Sequence, residues 1–393
     1  MISQEAAWEK IASLVSPLPQ REVRLLEALD CFLSGDLSAS HSLPPFDNSA
    51  MDGYAVIAQS FQAGGRLKVI GEQPAGADRN LSIKPGEAVR IFTGAPIPTG
   101  ADAVVMQEDV SAEGEEIVIA CDVEVGEFVR RRGGDVAVGQ TLANRGDKVT
   151  PQMIALFAAQ GLSSLFVGGE VRAAVISTGD ELVSAERQLA TGQIYDSNSF
   201  LLCALLQQCG AKVATVTHCA DRAEEIEAAV RVATNCDIMI ITGGVSVGAR
   251  DFVKGAITAA GGSLDLWRVA VKPGKPFVFG RVGACSIFGL PGNPVSAFTT
   301  FVLFVRPALL KLMGAGETAR TLPSHPARLQ SEVANKGDRP HYIRGVLRDG
   351  IFSLVGRQES HALFGLSQSN ALLLIRPQEV LAAGTVTTVF TWD

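Results

Sequence analysis

The sequence predicts a multidomain protein of the α/β plus β class, in which one α/β domain lies between two β-rich regions. At 393 residues the chain is longer than a single hydrophobic core usually supports. From Val171 to about Met313, apolar strand-like runs alternate with segments of helical periodicity, which predicts a mostly parallel sheet covered by helices on both faces. Before and after this stretch, short strand patterns are separated by Gly, Pro and Asp, so we expect domain boundaries near residues 170 and 315.

The N-terminal region, residues 1–170, is predicted to be helical with an inserted β domain. Apolar residues at helical spacing predict helix within residues 1–33; they are Ile11, Leu14, Val15, Leu25, Leu26 and Leu29. Strand patterns then predict a small, barrel-like β domain over about 46–146, with strands at 67–70, 88–92, 103–106 and 116–119. Helical pattern returns at 151–160, where Pro151 suits the first position of a helix.

The central and C-terminal elements follow from the same patterns. We expect strands at 173–177, 212–217, 237–241, 264–271 and 286–290, and helices at 199–208, 223–233, 252–260 and 295–312. The last helix is near the lower length for a membrane span, but it contains Arg306-Pro307, so a buried core helix is favoured. Strands at 341–347, 351–355, 371–375 and 386–390 predict a second small β domain over residues 316–393.

Composition excludes several classes of protein. The net charge of −7 argues against a nucleic-acid binder, whose domains are usually basic. The seven cysteines and five histidines are scattered, with neither a disulfide framework nor a metal-binding spacing. The first ten residues include acidic side chains and form no apolar leader. We therefore expect a soluble cytoplasmic protein that binds neither nucleic acid nor a membrane.

Four glycine- or proline-rich loops carry the functional signal, and each is predicted to follow a strand. They are Ser177–Leu182, Thr242–Gly248, Lys272–Pro276 and Gly289–Pro294. Glycine lets backbone N–H groups approach a ligand closely, and loops after parallel strands meet at one edge of a sheet. With Lys272 and Lys275 among them, these loops indicate an anionic, phosphate-bearing ligand.

Other interpretations of these loops stay open. Gly244-Val-Ser-Val-Gly248 matches the nucleophile elbow of serine hydrolases, but the candidate histidines lie in the β-rich tail. A turn in which Ser246 caps the next helix, or a glycine-rich anion cradle, fits better. Asp180-Glu181 is either a magnesium or general-base pair or an acidic surface pair, and the two lysines alone would also suit an exposed structural turn.

Seven motifs, taken together and in order, resemble the MoeA family of molybdopterin molybdenumtransferases, which is similar to the E domain of gephyrin. They are Asn48–Ala55, Thr93–Ala103, Arg131–Asp135, Ser177–Leu182, Gly243–Gly248, Lys272–Pro276 and Gly289–Ser296. The resemblance covers nearly the whole chain. It implies a helical linker region with an inserted β domain, an α/β molybdopterin-binding domain at 171–315 and a C-terminal β-barrel at 316–393.

The resemblance also implies an activity and an assembly. The implied reaction inserts molybdate into adenylylated molybdopterin with Mg²⁺, releases AMP and forms the molybdenum cofactor. The implied protein is a homodimer, with its cleft between the α/β domain of one subunit and the N-terminal region of the other. Other molybdenum-cofactor biosynthesis proteins and molybdoenzymes would be further partners.

The family's functional residues carry over onto matching positions of this chain. Catalytic positions are Asp52, Thr93, Asp135, Glu181 and Asp251. Glu181 and Asp221 are the implied Mg²⁺ ligands. Implied substrate-binding residues are Gly243, Gly244, Ser246, Lys272, Lys275, Pro291, Gly292, Asn293, Pro294 and Ser296, with Arg344 and Ser367 or Ser369 completing an oxyanion pocket.

Three positions depart from the family pattern. Asp221-Arg222 stands where paired aspartates are common, Arg268 replaces a frequent lysine, and Arg250 precedes Asp251. Three alternatives therefore stay open: a molybdopterin adenylyltransferase, which would consume ATP; a non-catalytic scaffold; and a paralogue that handles a related metal.

Overall fold

A computed structural model of the protein describes residues 1–245 and 252–392. The chain divides into two units. The first contains residues 1–35, 145–154 and 163–393, and the second contains residues 36–144 and 155–162. The second unit is thus formed mainly by a segment inserted into the first.

Short strands dominate residues 1–170. The elements are α1 (Gln4–Leu14), β1 (Arg21–Arg24), β2 (Leu37–Ser38), β3 (Asn48–Ser49), β4 (Gly53–Val56), β5 (Arg66–Gln73), β6 (Glu87–Ile91), β7 (Ala103–Met106), β8 (Val110–Glu113), β9 (Glu116–Ile119), β10 (Val129–Arg130), β11 (Thr141–Ala143), α2 (Pro151–Ala159) and β12 (Ser164–Val167). Pro151 begins α2 as predicted.

The predicted helical region over residues 1–33 is only partly correct. Helix α1 ends at Leu14, because Pro17 and Pro19 follow it and cannot continue a helix. Residues 21–24 instead form β1, which pairs antiparallel with β12, and residues 25–28 form one 3₁₀ turn. Leu26 is 80% exposed, so the leucine spacing there does not mark a core-facing helix.

The second unit contains a six-stranded sheet in the order β7-β4-β6-β5-β9-β8. All four strands predicted in this region are present, within three residues of the expected bounds. Tyr54, Val56, Leu67 and Ile117 contribute to its own apolar core. The outermost strands β7 and β8 are not paired in the described structure, so the sheet is open, contrary to the predicted barrel-like form.

The central α/β part extends from β13 to α7. Its elements are β13 (Arg172–Thr178), β14 (Leu182–Val183), β15 (Ile194–Tyr195), α3 (Ser197–Gln208), β16 (Lys212–Cys219), α4 (Ala223–Ala233), β17 (Ile238–Thr242), α5 (Phe252–Ala259), β18 (Ser263–Trp267), β19 (Val278–Val282), β20 (Cys285–Leu290), α6 (Pro294–Thr300) and α7 (Arg306–Leu312). Every helix and strand predicted here is present, whereas β14, β15 and β19 were not predicted.

The central sheet has the order β16-β13-β17-β20-β19-β18. The first four strands are parallel, and β19 runs antiparallel to both of its neighbours. Side chains from α1, α3, α6 and α7 share one apolar core with the sheet, whereas those of α4 and α5 share another. The predicted mostly parallel sheet with helices on both faces is therefore confirmed.

The long apolar run after Pro294 is a core helix. Helix α6 continues through a π-helical segment, Phe301–Val305, into α7. Pro294–Leu312 is long and apolar enough to cross a membrane, and it is the single such helix among the described residues. Because 89% of its most apolar stretch is buried inside the protein, the structure supports the predicted core helix.

The C-terminal part contains a closed five-stranded barrel in the order β21-β24-β23-β25-β27. Its elements are α8 (Glu317–Arg320), β21 (Ser324–Leu329), β22 (Val333–Ala334), β23 (His341–Arg348), β24 (Ile351–Leu354), α9 (Leu363–Ser367), β25 (Ala371–Ile375), β26 (Val380–Leu381) and β27 (Val386–Thr391). The implied C-terminal barrel is confirmed; β21 was not predicted, and it closes the barrel by pairing with β24 and β27.

Candidate active site

A cleft of about 680 Å³ lies at the carboxyl edge of the central sheet. From β13 the chain runs through α3 to β16 on one side, whereas from β17 it runs through α5 to β18 on the other. In open α/β sheets ligands bind at such a reversal of strand order. Residues after β13, β17 and β20, among them Gly179, Gly243 and Gly292, line this cleft. Pro276 of the lysine loop also lines it, so each of the four predicted loops contributes described residues to this cleft.

Two glycines after β17 allow the loops to approach each other. Gly243 and Gly244 have φ values of +86° and +63°, which side-chain-bearing residues rarely adopt. A Cβ on Gly243 would lie 2.3 Å from the carbonyl oxygen of Thr178, at the end of β13. The Gly243 N–H donates to the carbonyl oxygen of Leu290 at 3.3 Å, so it is not directed at a ligand as predicted. These glycines therefore allow the ends of β13 and β17 to pack closely against each other.

Acidic side chains occupy the β13 side of the cleft. Glu181 and Asp221 both line it, and Asp180 Oδ1 accepts a hydrogen bond from the Asp221 N–H at 3.0 Å. Among the described residues, no group of three or more His, Cys, Asp or Glu side chains is arranged to hold a metal ion. Mg²⁺ commonly takes one or two carboxylates together with substrate phosphates and waters. Glu181 and Asp221 fit that smaller requirement.

The lysine loop, Lys272–Pro276, borders a neighbouring cavity of about 670 Å³. Lys272 and Lys275 line this cavity and are exposed. The predicted strand 264–271 ends at Trp267, where Arg268 adopts a φ of +76°, so the loop connects antiparallel strands β18 and β19. It still lies at the carboxyl edge, because β18 runs in the same direction as β20.

The barrel holds the lysine loop in place. The Lys272 N–H donates to the Pro340 carbonyl at 2.9 Å, and the Tyr342 N–H donates to the Lys272 carbonyl at 2.8 Å. Arg339 Nη1 donates to the Val271 carbonyl at 2.9 Å. Within this first unit, the cationic loop is therefore bound to β23 and the segment before it.

The segment after β20 joins the cleft to the lysine cavity. Asn293 and Ser296 line both. Asn293 Nδ2 donates to Ser360 Oγ at 3.0 Å, and the Val295 N–H donates to the Ser360 carbonyl at 3.1 Å. Pro294 occupies the first turn of α6 as predicted. Pro291–Ser296 is thus fixed between the sheet and the barrel.

Arg344 has a different position from the one predicted. Its side chain is 1% exposed and donates to the carbonyls of Arg357, Glu359 and Ala362 at 2.7, 3.2 and 2.8 Å. The hydroxyls of Ser367 and Ser369 donate to the carbonyls of Phe364 and Gly365 in α9. A guanidinium engaged in this way does not reach an oxyanion. Arg344 instead positions the segment that carries Ser360 and His361.

His341 lies next to the lysines and is 8% exposed. Burial, together with the positive charges of Lys272, Arg339 and Arg344, lowers the pKa of His341 to about 4. Its imidazole is therefore neutral at neutral pH. The positive charge bordering this cavity comes from lysine and arginine.

In the second unit, Asp52 and Thr93 form a pair. The N–H and Oγ1 of Thr93 both donate to Asp52 Oδ1, at 2.7 and 2.8 Å. These two bonds hold the pKa of Asp52 below its usual range, so its carboxylate is charged at neutral pH. Asp135 is exposed, and its N–H donates to the Leu43 carbonyl at 3.0 Å. Ser246, Arg250 and Asp251 lie outside the described residues.

The comparisons with known proteins agree with this arrangement. Three family profiles match: MoeA N-terminal region (domain I and II) at residues 2–161, probable molybdopterin binding domain at 174–311, and MoeA C-terminal region (domain IV) at 326–392. Molybdopterin molybdenumtransferase 2 of Mycobacterium tuberculosis is 39% identical over 384 residues, covering 94% of each chain. The chain belongs to the MoeA family.

Two further relatives extend the match to the whole fold. The molybdopterin molybdenumtransferase of Haemophilus influenzae is 34% identical over 393 residues, which cover 98% of this chain and 96% of the relative. The solved structure of the molybdopterin biosynthesis MoeA protein from Pyrococcus horikoshii OT3 matches over the full length of both chains, with a TM-score of 0.87 and 29% identity.

Two of the departures from the MoeA pattern have structural accounts. Arg222 precedes α4 and pairs with Glu225 at 3.1 Å on the surface, while Asp221 keeps its place in the cleft. Arg268 is at the left-handed turn that ends β18, and its Nε is buried without a hydrogen-bond partner. In this MoeA-family chain, Arg222 thus forms an ion pair with a residue of α4 and lies next to a residue that lines the cleft.

Sequence reasoning missed several cleft residues of this MoeA-family chain. Tyr195, Asp196 and Asn198 line the cleft from β15 and the start of α3, and His361 lines it from the barrel side. They belong to no glycine-rich motif. The Asp-Ser-Asn run before an apolar helical segment, with Asp196 capping α3, was the one available signal.

Proposed function

We propose that the protein inserts molybdate into adenylylated molybdopterin in the presence of Mg²⁺, releasing AMP and completing the molybdenum cofactor. The observation that carries this proposal is the similarity, over nearly the whole chain, to proteins named molybdopterin molybdenumtransferase. The cleft supports it, because it combines carboxylates, an adjacent pair of lysines and a volume suited to a substantial ligand.

Each group of residues has a proposed part in this reaction. Glu181 and Asp221 would hold Mg²⁺, which when bound neutralises phosphate charge. Lys272 and Lys275 attract and hold phosphate or molybdate, on a loop whose prolines limit the ordering that binding requires. Asn293 and Ser296 orient the ligand where the two cavities meet. Asp52, Thr93, Asp135 and Asp251 are proposed as further catalytic residues.

The activity is tested by mixing the protein with adenylylated molybdopterin, Mg²⁺ and molybdate, and measuring AMP. We expect AMP release that requires molybdate and stops when Mg²⁺ is chelated. Molybdate-independent ATP consumption with molybdopterin would point to an adenylyltransferase instead. Adenylate binding without AMP release would point to a scaffold.

Substitution of Glu181 tests its assigned part. We expect Glu181→Gln to lower AMP release by about 100-fold, because loss of one metal-binding carboxylate removes charge stabilisation during phosphoanhydride cleavage. The matched control is Glu186→Gln, an exposed glutamate outside the cleft, which should leave the rate unchanged. An unaltered rate in Glu181→Gln would remove Glu181 from the mechanism.

We also propose that the protein works as a homodimer in the cytoplasm. Sedimentation equilibrium is expected to give about twice the 41.3 kDa of one chain. A concentration-independent value equal to one chain would contradict the proposed dimer.

A further inference from the structure

Three residues with exposed apolar side chains line the cleft at the sheet edge. Ile194, Tyr195 and Leu363 line it and are 55%, 44% and 40% exposed. Polar residues such as Thr178, Glu181 and Asn198 line the same cleft. Apolar side chains left in solvent within a concave surface typically contact a ligand. The proposed anion-binding lysines border the neighbouring cavity instead.

Tyr195 is held in place by hydrogen bonds of its strand and of its own side chain. Its strand β15 pairs with β14, and hydrogen bonds of 2.9 and 3.0 Å join Ile194 N–H to the Glu181 carbonyl and Asp196 N–H to the Val183 carbonyl. The Tyr195 hydroxyl donates to the Arg187 carbonyl at 3.0 Å. The aromatic ring is thus fixed at its backbone and at its hydroxyl. A ring fixed in advance loses little conformational freedom when a ligand packs on it.

One residue that lines the cleft also has a buried acceptor atom without a partner. Asn198 Nδ2 donates to Thr242 Oγ1 at 2.9 Å and to the Gly292 carbonyl at 2.7 Å, which fixes the orientation of the amide because a carbonyl can only accept. Asn198 Oδ1 is left buried with no hydrogen-bond partner, as is Thr178 Oγ1. Unpaired buried polar atoms are unfavourable. A ligand N–H group entering the cleft would pair one of them.

We propose that Tyr195 provides the stacking surface for the flat nitrogen-heteroaromatic ring of the substrate. The ring stacks on the tyrosine face, and an N–H group at its edge pairs with an unpaired acceptor such as Asn198 Oδ1. The identity of the ring rests on the proposed function, whose substrate carries two such rings, a pterin and an adenine.

The test measures binding of two probes, AMP and 6-hydroxymethylpterin, by titration calorimetry of the full-length protein. Tyr195→Ala is expected to weaken binding of one probe by about tenfold, the size of effect found when an aromatic ring stacked on a base is removed. Tyr195→Phe keeps the ring and is expected to bind within about twofold of the unmodified protein. The probe that responds identifies the ring.

Phe200→Ala is the matched control, since Phe200 is 69% exposed on the adjacent helix α3 and lies outside the cleft. It should bind both probes normally. The proposal is overturned if Tyr195→Ala binds both probes like the unmodified protein, if Phe200→Ala loses as much affinity, or if neither probe binds. Tyr195-dependent binding without molybdate-dependent AMP release would sustain this inference and reject the proposed function. Molybdate-dependent AMP release together with probe binding that does not depend on Tyr195 would support the proposed function and reject this inference.

Discussion

His341 shows how burial sets the charge of a single residue beside the candidate site. Its pKa of about 4 lies below the ordinary value of 6.5. As pH falls below 6.5, the unfolded chain therefore takes up a proton that the folded protein resists. The contribution of the neutral His341 to the free energy of unfolding is therefore fully present above pH 6.5, and it is lost as the pH falls toward 4.

Replacing His341 tests this linkage. His341→Gln should remove up to about 3 kcal/mol of the acid-induced loss of stability between pH 6.5 and 4, because glutamine does not titrate. Urea unfolding at several pH values measures the effect. His41→Gln, at an exposed histidine, should keep the pH dependence of the unmodified protein. Parallel curves for the unmodified protein and His341→Gln would contradict the argument.

Arg344 and Asn198 show where residue types alone were insufficient. The resemblance implied an oxyanion-binding role for Arg344, but only the tertiary structure shows its guanidinium buried against three carbonyls. Asn198 belongs to no phosphate-binding motif, and its place in the cleft depends on where α3 begins. By contrast, Glu181 and Asn293 were predictable, because each follows a strand whose end could be read from its apolar run.

At the scale of elements, the double glycine after β17 determines how closely two strand ends approach. Gly243→Ala should lower the free energy of unfolding by about 2 kcal/mol or more, because it adds strain at a positive φ and a contact with the Thr178 carbonyl. Urea unfolding provides the measurement. Equal stability of Gly243→Ala and the unmodified protein would show that the strand ends can separate freely.

Gly255 in α5 is the matched glycine control. A Cβ at this position would meet nothing within 4 Å. Gly255→Ala should therefore raise the free energy of unfolding by about 0.5–1 kcal/mol, since alanine loses less backbone freedom in a helix. The opposite signs of the two substitutions separate local packing from a general effect of replacing glycine.

Element boundaries were predictable where a pattern was long and were misplaced where chain breakers intervene. Helices α3 and α4 and strand β13 were predicted to within two residues at each end because no glycine or proline interrupts their patterns. Strand β18 ends four residues early, at a left-handed Arg268 that no periodicity reveals. The expected helix after α1 fails at Pro17 and Pro19.

At the scale of the whole molecule, the order of the domains could be predicted from the sequence, because seven family motifs occur in the same order along the chain. The division at about 46–146, 171–315 and 316–393 stays a prediction. The inserted unit is the sharpest place to test it. Its core residues, including Val56, Leu67 and Ile117, all lie within the segment 36–144.

An isolated fragment of residues 36–144 is therefore expected to fold, since about 110 residues is an ordinary domain size. Circular dichroism should show β structure, and urea should unfold it cooperatively. Leu67→Asp in the fragment, at a residue 2% exposed, should abolish the transition and serves as the unfolded control. A fragment without a cooperative transition would show that this segment depends on the rest of the chain.

The hydrogen bonds between the lysine loop and the barrel have a consequence for how the protein can be shortened or recombined. Lys272 is held through the backbone of Pro340 and Tyr342, and Arg339 secures the preceding residue. A chain cut after the sheet would keep both lysines but lose the groups that set their backbone. The barrel is therefore not an interchangeable appendage: a chimera that exchanges it must carry residues 339–342 with it.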